Sequence, residues 1–237
     1  MTQDYYERWS AKRMVQRFRE KTTSEYFASE VYFLEKIIDK ISTVLDIGCA
    51  SGKYIELLKQ YKEKFQYTGI DVVDERIQIA RLRYPGNKFI CGNAIDIILE
   101  GKYDLVNAIG VFQHEPNYML LLRRMLMASQ RYVLFDVKFA KVQDHVKDIN
   151  ISYSGLHKKT YFILLNYPSF IEELSAMQNI GTIEVHGYCT QLNNETTVPS
   201  SINKLVSATV LVSLVENSNM LSVVNNLSDE ATNILAI

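Results

Sequence analysis

Between residues 43 and 135 the chain alternates short apolar, β-branched runs with stretches of helical periodicity, and no other feature limits its possible folds as much. The apolar runs are Thr43–Ile47, Gln66–Asp71, Lys88–Cys91, Tyr103–Ile109 and Arg131–Phe135; the helical stretches between them are Lys53–Tyr61, Asp74–Arg83 and Asn117–Ser129. Runs this short and apolar suit strands covered on both faces, as in a parallel sheet. Parallel neighbours need a crossover, and the intervening helices supply it. The alternation therefore predicts an α/β fold, doubly wound, with helices on both faces of the sheet. A helix over Ser169–Met177 follows Pro168, and two more strands come last, Thr182–Tyr188 and Lys204–Val215. A turn-rich segment, 193–203, separates this last pair in place of a helix, so they are expected to run antiparallel. The sum is a seven-stranded, mostly parallel sheet whose last strand is antiparallel.

The flanks differ in character. Asp4–Lys21 reads as a helix with Arg8, Lys12, Arg13, Arg17 and Lys21 in basic stripes. Phe27, Val31, Leu34, Ile38 and Ile41 make an apolar stripe on a second helix that begins near Thr23 or Ser24. Residues 1–41 are thus expected as an N-terminal helical cap on a core of residues 42–216, one domain overall. Within that core, residues 137–167 are polar, aromatic and irregular, an insertion after the fifth strand. Residues 217–237 are an Asn/Ser-rich tail in which Ser228-Asp229-Glu230 resembles a capped helix start.

With 26 Lys+Arg against 27 Asp+Glu, the net charge of -1 gives no general attraction to DNA or to an anionic membrane. The balance is an average, because residues 161–237 hold Lys204 alone against seven acids. Residues 1–160 are therefore net basic, which leaves room for a locally basic cleft and an anionic small ligand. Cys49, Cys91 and Cys189 lack zinc-ligand spacing and suit a reducing compartment. No metal site is expected. The first residues carry charges and no apolar signal segment, and Val206–Val215 is about half the length a membrane helix needs, so the expected location is the cytoplasm.

Chemistry concentrates where the first strand ends. Val44-Leu45-Asp46-Ile47-Gly48-Cys49-Ala50-Ser51-Gly52 passes from a strand through a tight turn into a helix. Small residues there let a ligand approach the backbone, and the helix start offers free N–H groups. A dinucleotide fingerprint needs G-x-G-x-x-G, whereas Gly48 and Gly52 stand four apart with Ala50 between them. A phosphate-cradling P-loop needs G-x-x-x-x-G-K-[ST], whereas Tyr54 follows Gly52-Lys53. Both patterns fail on spacing.

The segment instead resembles the first motif of class I S-adenosylmethionine-dependent methyltransferases, an acid, any residue, then G-x-G-x-G, with Ala50 at the central glycine. Three further matches follow in order: Gly69-Ile70-Asp71; Cys91-Gly92-Asn93-Ala94, where the family has G-D-A; and Tyr103-Asp104-Leu105-Val106 through Gly110-Val111-Phe112-Gln113-His114, similar to F-D-L-V-x-x-x-G-V-L-x-H. The resemblance is specific over Val44–His114 and looser as far as Val215. It implies S-adenosyl-L-methionine as cofactor and S-adenosyl-L-homocysteine as product. Asp46, Gly48, Cys49, Ala50, Ser51 and Gly52 would then surround the amino-acid end of the cofactor. Asp71 would accept from the ribose hydroxyls, Val72 would lie against adenine, and Asn93 and Ala94 would meet its amino group. Ile109 and Gly110 complete the set at the turn after the fourth strand.

Methyl transfer from a sulfonium is an in-line displacement, so the protein aligns the nucleophile and, for a hydroxyl, removes its proton. His114 is a candidate for that base, histidine being the side chain that titrates in the right range; its other reading is a residue that orients the turn or caps the helix beginning near Pro116. His157 is a second candidate, or an ordinary solvated loop histidine. Tyr5, Tyr6 and Trp9 would close over the cofactor or pack the helices together. Tyr5, Tyr6, Tyr153 and Tyr161 are candidate acceptor contacts, since tyrosine rings stack on ring-bearing or sugar-like ligands. If the basic stripes line the cleft with Lys158 and Lys159, the acceptor would be acidic or phosphorylated. Methyltransferases of nucleobase amines carry (D/N/S)-P-P-(Y/F/W) where this chain has Asn107-Ala108-Ile109-Gly110, and no cysteine lies between Cys91 and Cys189 for attack on cytosine. The expectation is a methyltransferase for a small molecule, acting at oxygen on a sugar, glycan precursor or secondary metabolite. An N-methyltransferase, a protein or RNA methyltransferase, and a non-catalytic cofactor-binding module are the alternatives.

Overall fold

The structure, a computed structural model, describes residues 26–97, 101–155, 158–215 and 221–235. The chain divides into two compact units, residues 1–109 with 119–131, and residues 110–118 with 132–237. The candidate residues Tyr5, Tyr6, Trp9 and His157 and the basic stripes lie outside the described residues.

The first unit holds α1 (Ala28–Ile37), a 3-10 turn at Ile38–Lys40, β1 (Thr43–Ile47), α2 (Tyr54–Tyr61), β2 (Gln66–Asp71), α3 (Asp74–Arg83), β3 (Lys88–Cys91), β4 (Tyr103–Ala108) and nearly all of α4 (Tyr118–Ala128). Its strands lie in the order β4-β1-β2-β3, every pair parallel. Val44, Leu45, Ile47, Ile70, Leu105 and Val106 are buried, whichever way the pleat points them, as a sheet covered on both faces requires. Helices α2 and α3 contribute Ile55, Leu58, Ile77 and Ala80, all without exposed surface. Full burial of a side chain such as Leu58 stabilises by roughly 1.5–3 kcal/mol.

Asp104 staples the far end of this sheet. Its Oδ2 accepts from the Ser42 and Thr43 N–H groups at 2.8 and 3.1 Å, and its Oδ1 accepts from Gln130 Nε2 at 2.7 Å. Its own N–H donates to Thr43 Oγ1 at 2.8 Å, and Arg131 Nε lies 3.1 Å from Oδ1. The acid of the Tyr103-Asp104-Leu105-Val106 motif therefore ties the starts of β1 and β4 together, at the end of the strands opposite the glycine loop.

The apolar stripe of α1 and the turn after it is buried in its later part, at Leu34, Ile38 and Ile41, and is widened there by Phe33 and Ile37. Val31 is half-buried. Glu30 falls on the same inward face, three and four residues before Phe33 and Leu34, and has no exposed surface.

The second unit holds a 3-10 turn at Phe112–His114, most of β5 (Ser129–Phe139), β6 (Tyr153–Ser154), β7 (Thr160–Tyr161), α5 (Tyr167–Ser175), β8 (Ile180–Thr190), β9 (Thr196–Thr197), β10 (Leu205–Leu214), β11 (Ser222–Leu227) and α6 (Asp229–Leu235). Strand β10 runs antiparallel to both β5 and β8, as the missing crossover helix requires. Rings from α5, β5 and the 3-10 turn pack closely: Phe112 stacks on Phe135 at 4.4 Å, and Phe170 lies 5.8 Å from Phe139. Helix α5 starts two residues before its expected position because Asn166 caps it, Oδ1 accepting from the Ser169 N–H at 3.0 Å, with Pro168 in the first turn.

Two features of this unit differ from expectation. The insertion is less irregular than its composition suggests: β5 runs on to Phe139, and β6 and β7 join β9 in a small sheet of order β7-β6-β9. The tail is structured as well. Strand β11 pairs parallel with β8, so the units hold four long-sheet strands each, eight among the described residues where seven were expected. Ser222–Leu227 is hard to recognise as a strand because Val223 and Val224 are both more than a third exposed, which leaves no alternation. Gly187 lets it approach, since a Cβ there would stand 2.9 Å from Leu227 Cδ2 and from Ala208 Cβ. The expected cap is present: Ser228 Oγ accepts from the Ala231 N–H at 3.2 Å at the start of α6.

Candidate functional site

The glycine loop after β1 takes three left-handed residues in five: Gly48 at φ 77°, Ala50 at 47° and Gly52 at 78°. For Ala50, which has a Cβ, this backbone costs roughly 1–2 kcal/mol. Hydrogen bonds hold it there. The Ala50 N–H donates to Asp71 Oδ2 at 2.9 Å, and the Gly48 and Cys49 N–H groups both donate to the Ile70 carbonyl, at 2.7 and 3.0 Å.

Asp71 is the centre of this arrangement. Its other oxygen accepts from the Val73 N–H at 2.9 Å, and Arg76 Nη1 lies 3.9 Å from Oδ2. Burial, at 5% exposure, pushes its carboxyl up, while Arg76 and the backbone N–H groups of Val73 and Ala50 pull it down. The acid thus ties the loop to the start of α3. In the turn after β3, Asn93 Oδ1 accepts from the Ile95 N–H at 3.0 Å, and Ala94 is buried.

Within the first unit a pocket of about 70 Å³ opens against the loop. Gly48, Cys49, Ala50, Ser51 and Lys53 form its loop side; Asp46, Asn107 and Ile109 come from strand ends, and Tyr26, Glu30 and Tyr54 complete it. Asp71, Val72, Asn93 and Ala94 do not line it. Asp46 is 4% exposed; it accepts from Asn107 Nδ2 at 2.8 Å and from the Tyr67 hydroxyl. The Tyr26 hydroxyl donates to the Lys53 carbonyl at 2.9 Å, which ties the N-terminal end of α1 to the loop. Burial first, and the Glu30 carboxylate second, push the Tyr26 and Tyr54 phenols up.

Glu30, Tyr26 and Asn107 occupy no defined position of the motifs. Two of them carry a sequence signal, Glu30 as an acid on the apolar face of α1 and Asn107 as a lone amide inside the apolar run of β4.

The second unit carries the turn that follows β4. Gly110, at φ 78°, donates its N–H to Asp136 Oδ1 at 2.6 Å, and Lys138 Nζ lies 3.0 Å from Asp136 Oδ2. Both members of this ion pair are buried. His114 ends the turn, with Nδ1 2.7 Å from the Tyr161 carbonyl oxygen. A carbonyl can only accept, so Nδ1 carries the proton and the lone pair of the neutral ring sits on Nε2. The Ile163 N–H donates to the Gln113 carbonyl at 2.8 Å, so residues 161–163 of the insertion clamp the turn along its length. Glu115, rather than His114, serves the helix start: its Oε1 accepts from the Asn117 N–H at 2.8 Å.

Tyr153 and Tyr161 face each other in register across β6 and β7, and Lys159 Nζ sits 4.0 Å from the Tyr153 ring centroid. Among the described residues no group of three His, Cys, Asp or Glu is arranged to hold a metal, and no helix is long and apolar enough to cross a membrane.

Residues 45–128 match the family described as "Methyltransferase domain". Over 91 residues the chain is 34% identical to Trans-aconitate 2-methyltransferase of Rhodopseudomonas palustris, a match covering 38% of this chain and 36% of that protein. Over 103 residues it is 26% identical to Malonyl-[acyl-carrier protein] O-methyltransferase of Priestia megaterium, covering 39% and 38%. The match thus spans little more than a third of the length of each of these two relatives. Among solved structures, magnesium protoporphyrin IX methyltransferase of Synechocystis PCC 6803 with bound S-adenosylmethionine aligns over 91% of this chain and 99% of that one. The TM-score is 0.57 at 11% identity, which shows a shared fold. The family match takes in the glycine loop, Asp71 and His114; Glu30 and the insertion lie outside it.

Proposed function

We propose that this chain is an S-adenosyl-L-methionine-dependent methyltransferase that acts at oxygen on a small-molecule acceptor. The observation that carries the reading is the loop Gly48–Gly52, three left-handed residues held open by Asp71 against a pocket lined by Lys53 and by the acids Glu30 and Asp46. A lining of mixed sign suits a zwitterionic amino-acid end and not a phosphate. A carboxylate has about four acceptor positions, and the Ala50 and Val73 N–H groups occupy one on each Asp71 oxygen, so accepting from a ribose hydroxyl is compatible with its structural role. When bound, the cofactor supplies the electrophilic methyl group. His114 Nε2 is the site that takes the proton from an acceptor hydroxyl, its Nδ1 being occupied by Tyr161.

A hydroxyl on a sugar-like molecule is the acceptor this assignment favours, with the insertion, including Tyr153 and Lys159, as the acceptor-binding segment. A carboxylate acceptor is the second reading. The relatives named for trans-aconitate and for a malonyl group favour it, and a carboxylate needs no base.

Isothermal titration of the full chain with S-adenosylmethionine and S-adenosylhomocysteine tests the premise, and absence of binding by both ends it. Homocysteine-product release over a panel of sugars and small carboxylic acids then separates the two acceptor readings.

A further inference from the structure

Asn107 has one amide atom with an assignment and one without. Its Nδ2 faces Asp46, and because a carboxylate only accepts, the amide nitrogen must be the atom on that side. Its Oδ1 is buried, on a residue 1% exposed, with no hydrogen-bond partner among the described residues, and Asn107 lines the pocket beside the glycine loop. A buried acceptor left unmet is costly, so the orphan points to a donor that arrives with a ligand.

The carboxylates facing this pocket identify the donor's charge; Lys53 lines it as well, with its Nζ 4.0 Å from Glu56 Oε2. Glu30, fully buried, and Asp46, 4% exposed, both line it. Their combined field is felt by neighbouring groups: after burial, Glu30 and Asp46 are the main charges that push the Tyr54 phenol up. A recess of about 70 Å³ holds a compact head group, and an ammonium, with three donors and no acceptor, complements an orphan carbonyl flanked by carboxylates.

We infer that Glu30, Asn107 and Asp46 form an acceptor-lined recess for the α-ammonium group of the cofactor, with Glu30 as its principal counter-charge. The inference rests on the S-adenosylmethionine reading above. It extends the cofactor site to α1, a helix outside the family match, so that docking of α1 on the loop and recognition of the amino-acid end become one event.

The test is isothermal titration of the full chain with S-adenosylhomocysteine, with its deaminated analogue, and with 5′-methylthioadenosine, which lacks the amino-acid portion. Wild type is expected to bind the deaminated analogue at least about ten-fold more weakly than S-adenosylhomocysteine, the scale of a lost charge-assisted hydrogen bond. Glu30→Gln and Asn107→Ala are expected to weaken S-adenosylhomocysteine by about ten-fold and about five-fold, and to leave 5′-methylthioadenosine within about two-fold. Equal affinity of wild type for S-adenosylhomocysteine and its deaminated analogue overturns the inference without reference to any variant's folding. Glu30→Gln that binds S-adenosylhomocysteine as wild type does also overturns it, and in both cases the cofactor reading stands. Failure of wild type to bind S-adenosylhomocysteine or S-adenosylmethionine removes both.

Discussion

The Nδ1 of His114 donates to the carbonyl oxygen of Tyr161 across 2.7 Å, forty-seven residues along the chain. The contact is made by the backbone of residue 161, so the insertion sets the tautomer of the candidate base through its main-chain path and not through a side chain.

Two substitutions follow from that distinction. With a hydroxyl acceptor, His114→Gln should lower turnover by about 10²–10⁴-fold, the usual worth of a positioned base, whereas Tyr161→Phe should stay within about two-fold of wild type. Product release under saturating cofactor measures both. If His114→Gln instead keeps full turnover on a carboxylic acid, the acceptor class changes and the base is not needed.

Asp71→Asn keeps the shape of the side chain and removes its charge from between the Ala50 and Val73 N–H groups and Arg76. Buried hydrogen bonds to a charged group contribute about 1.5–3 kcal/mol, so stability should fall by that order, with S-adenosylhomocysteine affinity falling alongside as the loop loosens. Denaturant unfolding with titration of the same sample checks this; an unchanged midpoint would mean the loop holds its left-handed path unaided.

His145 gives the second unit a pH dependence. Its Nδ1 accepts from the Asn166 N–H at 2.9 Å, and its Nε2 lies 3.5 Å from Glu173. Burial pushes the imidazole pKa below its ordinary value, with Lys147 acting in the same direction and Glu173 and Asp144 against it. The unfolded chain therefore binds the proton more readily. The contribution to stability is complete above the unfolded value near about 6.5 and is lost as pH falls through the lower folded value. His145→Gln should flatten the stability difference between pH 7.5 and pH 5.5 measured by urea unfolding. A variant that retains the full wild-type difference would assign it to other groups.

Asp104 is expected to act at the acid limb. Burial works against its charge, but the Ser42 and Thr43 donors and the Gln130 amide outweigh it and hold the carboxyl below its ordinary value. The folded-state value is depressed, so its contribution is present above about pH 4 and fades as pH drops through the folded value. Asp104→Ala should cost about 2–3 kcal/mol at pH 7, with a gap from wild type that narrows on acidification. A gap of constant size down to pH 3 would trace the loss to packing.

The elements between residues 43 and 128 were legible because each kept its period: β1, β2, β3 and α3 have the limits read from the sequence, and α2 and α4 differ by a residue or so. Legibility failed where tertiary contacts outweigh local pattern. Strand β11 shows no alternation because it lies at the sheet margin, and β6 and β7 are two residues long, too short to carry any period. The site divided the same way. The glycine loop and Asp71 announced themselves by spacing, although Asp71 proved to be a scaffold for the loop as well as a candidate ligand contact. Glu30 and Asn107 did not, since a single polar residue within an apolar pattern carries no spacing, and its importance rests on which pocket it faces.

The C-terminal strand has a consequence for handling the protein. Strand β8 is eleven residues long, and β11 covers six of them, Thr182–Gly187, along the side away from β10. Cutting the chain after residue 216 would strip that cover and offer an extended row of amide groups, flanked by Ile183 and Val185, to whatever strand comes near. Open edges of this kind recruit copies of themselves. A polar stretch of asparagine and serine that resembles a dispensable tail would then be what separates a well-behaved solution from a fibrous precipitate.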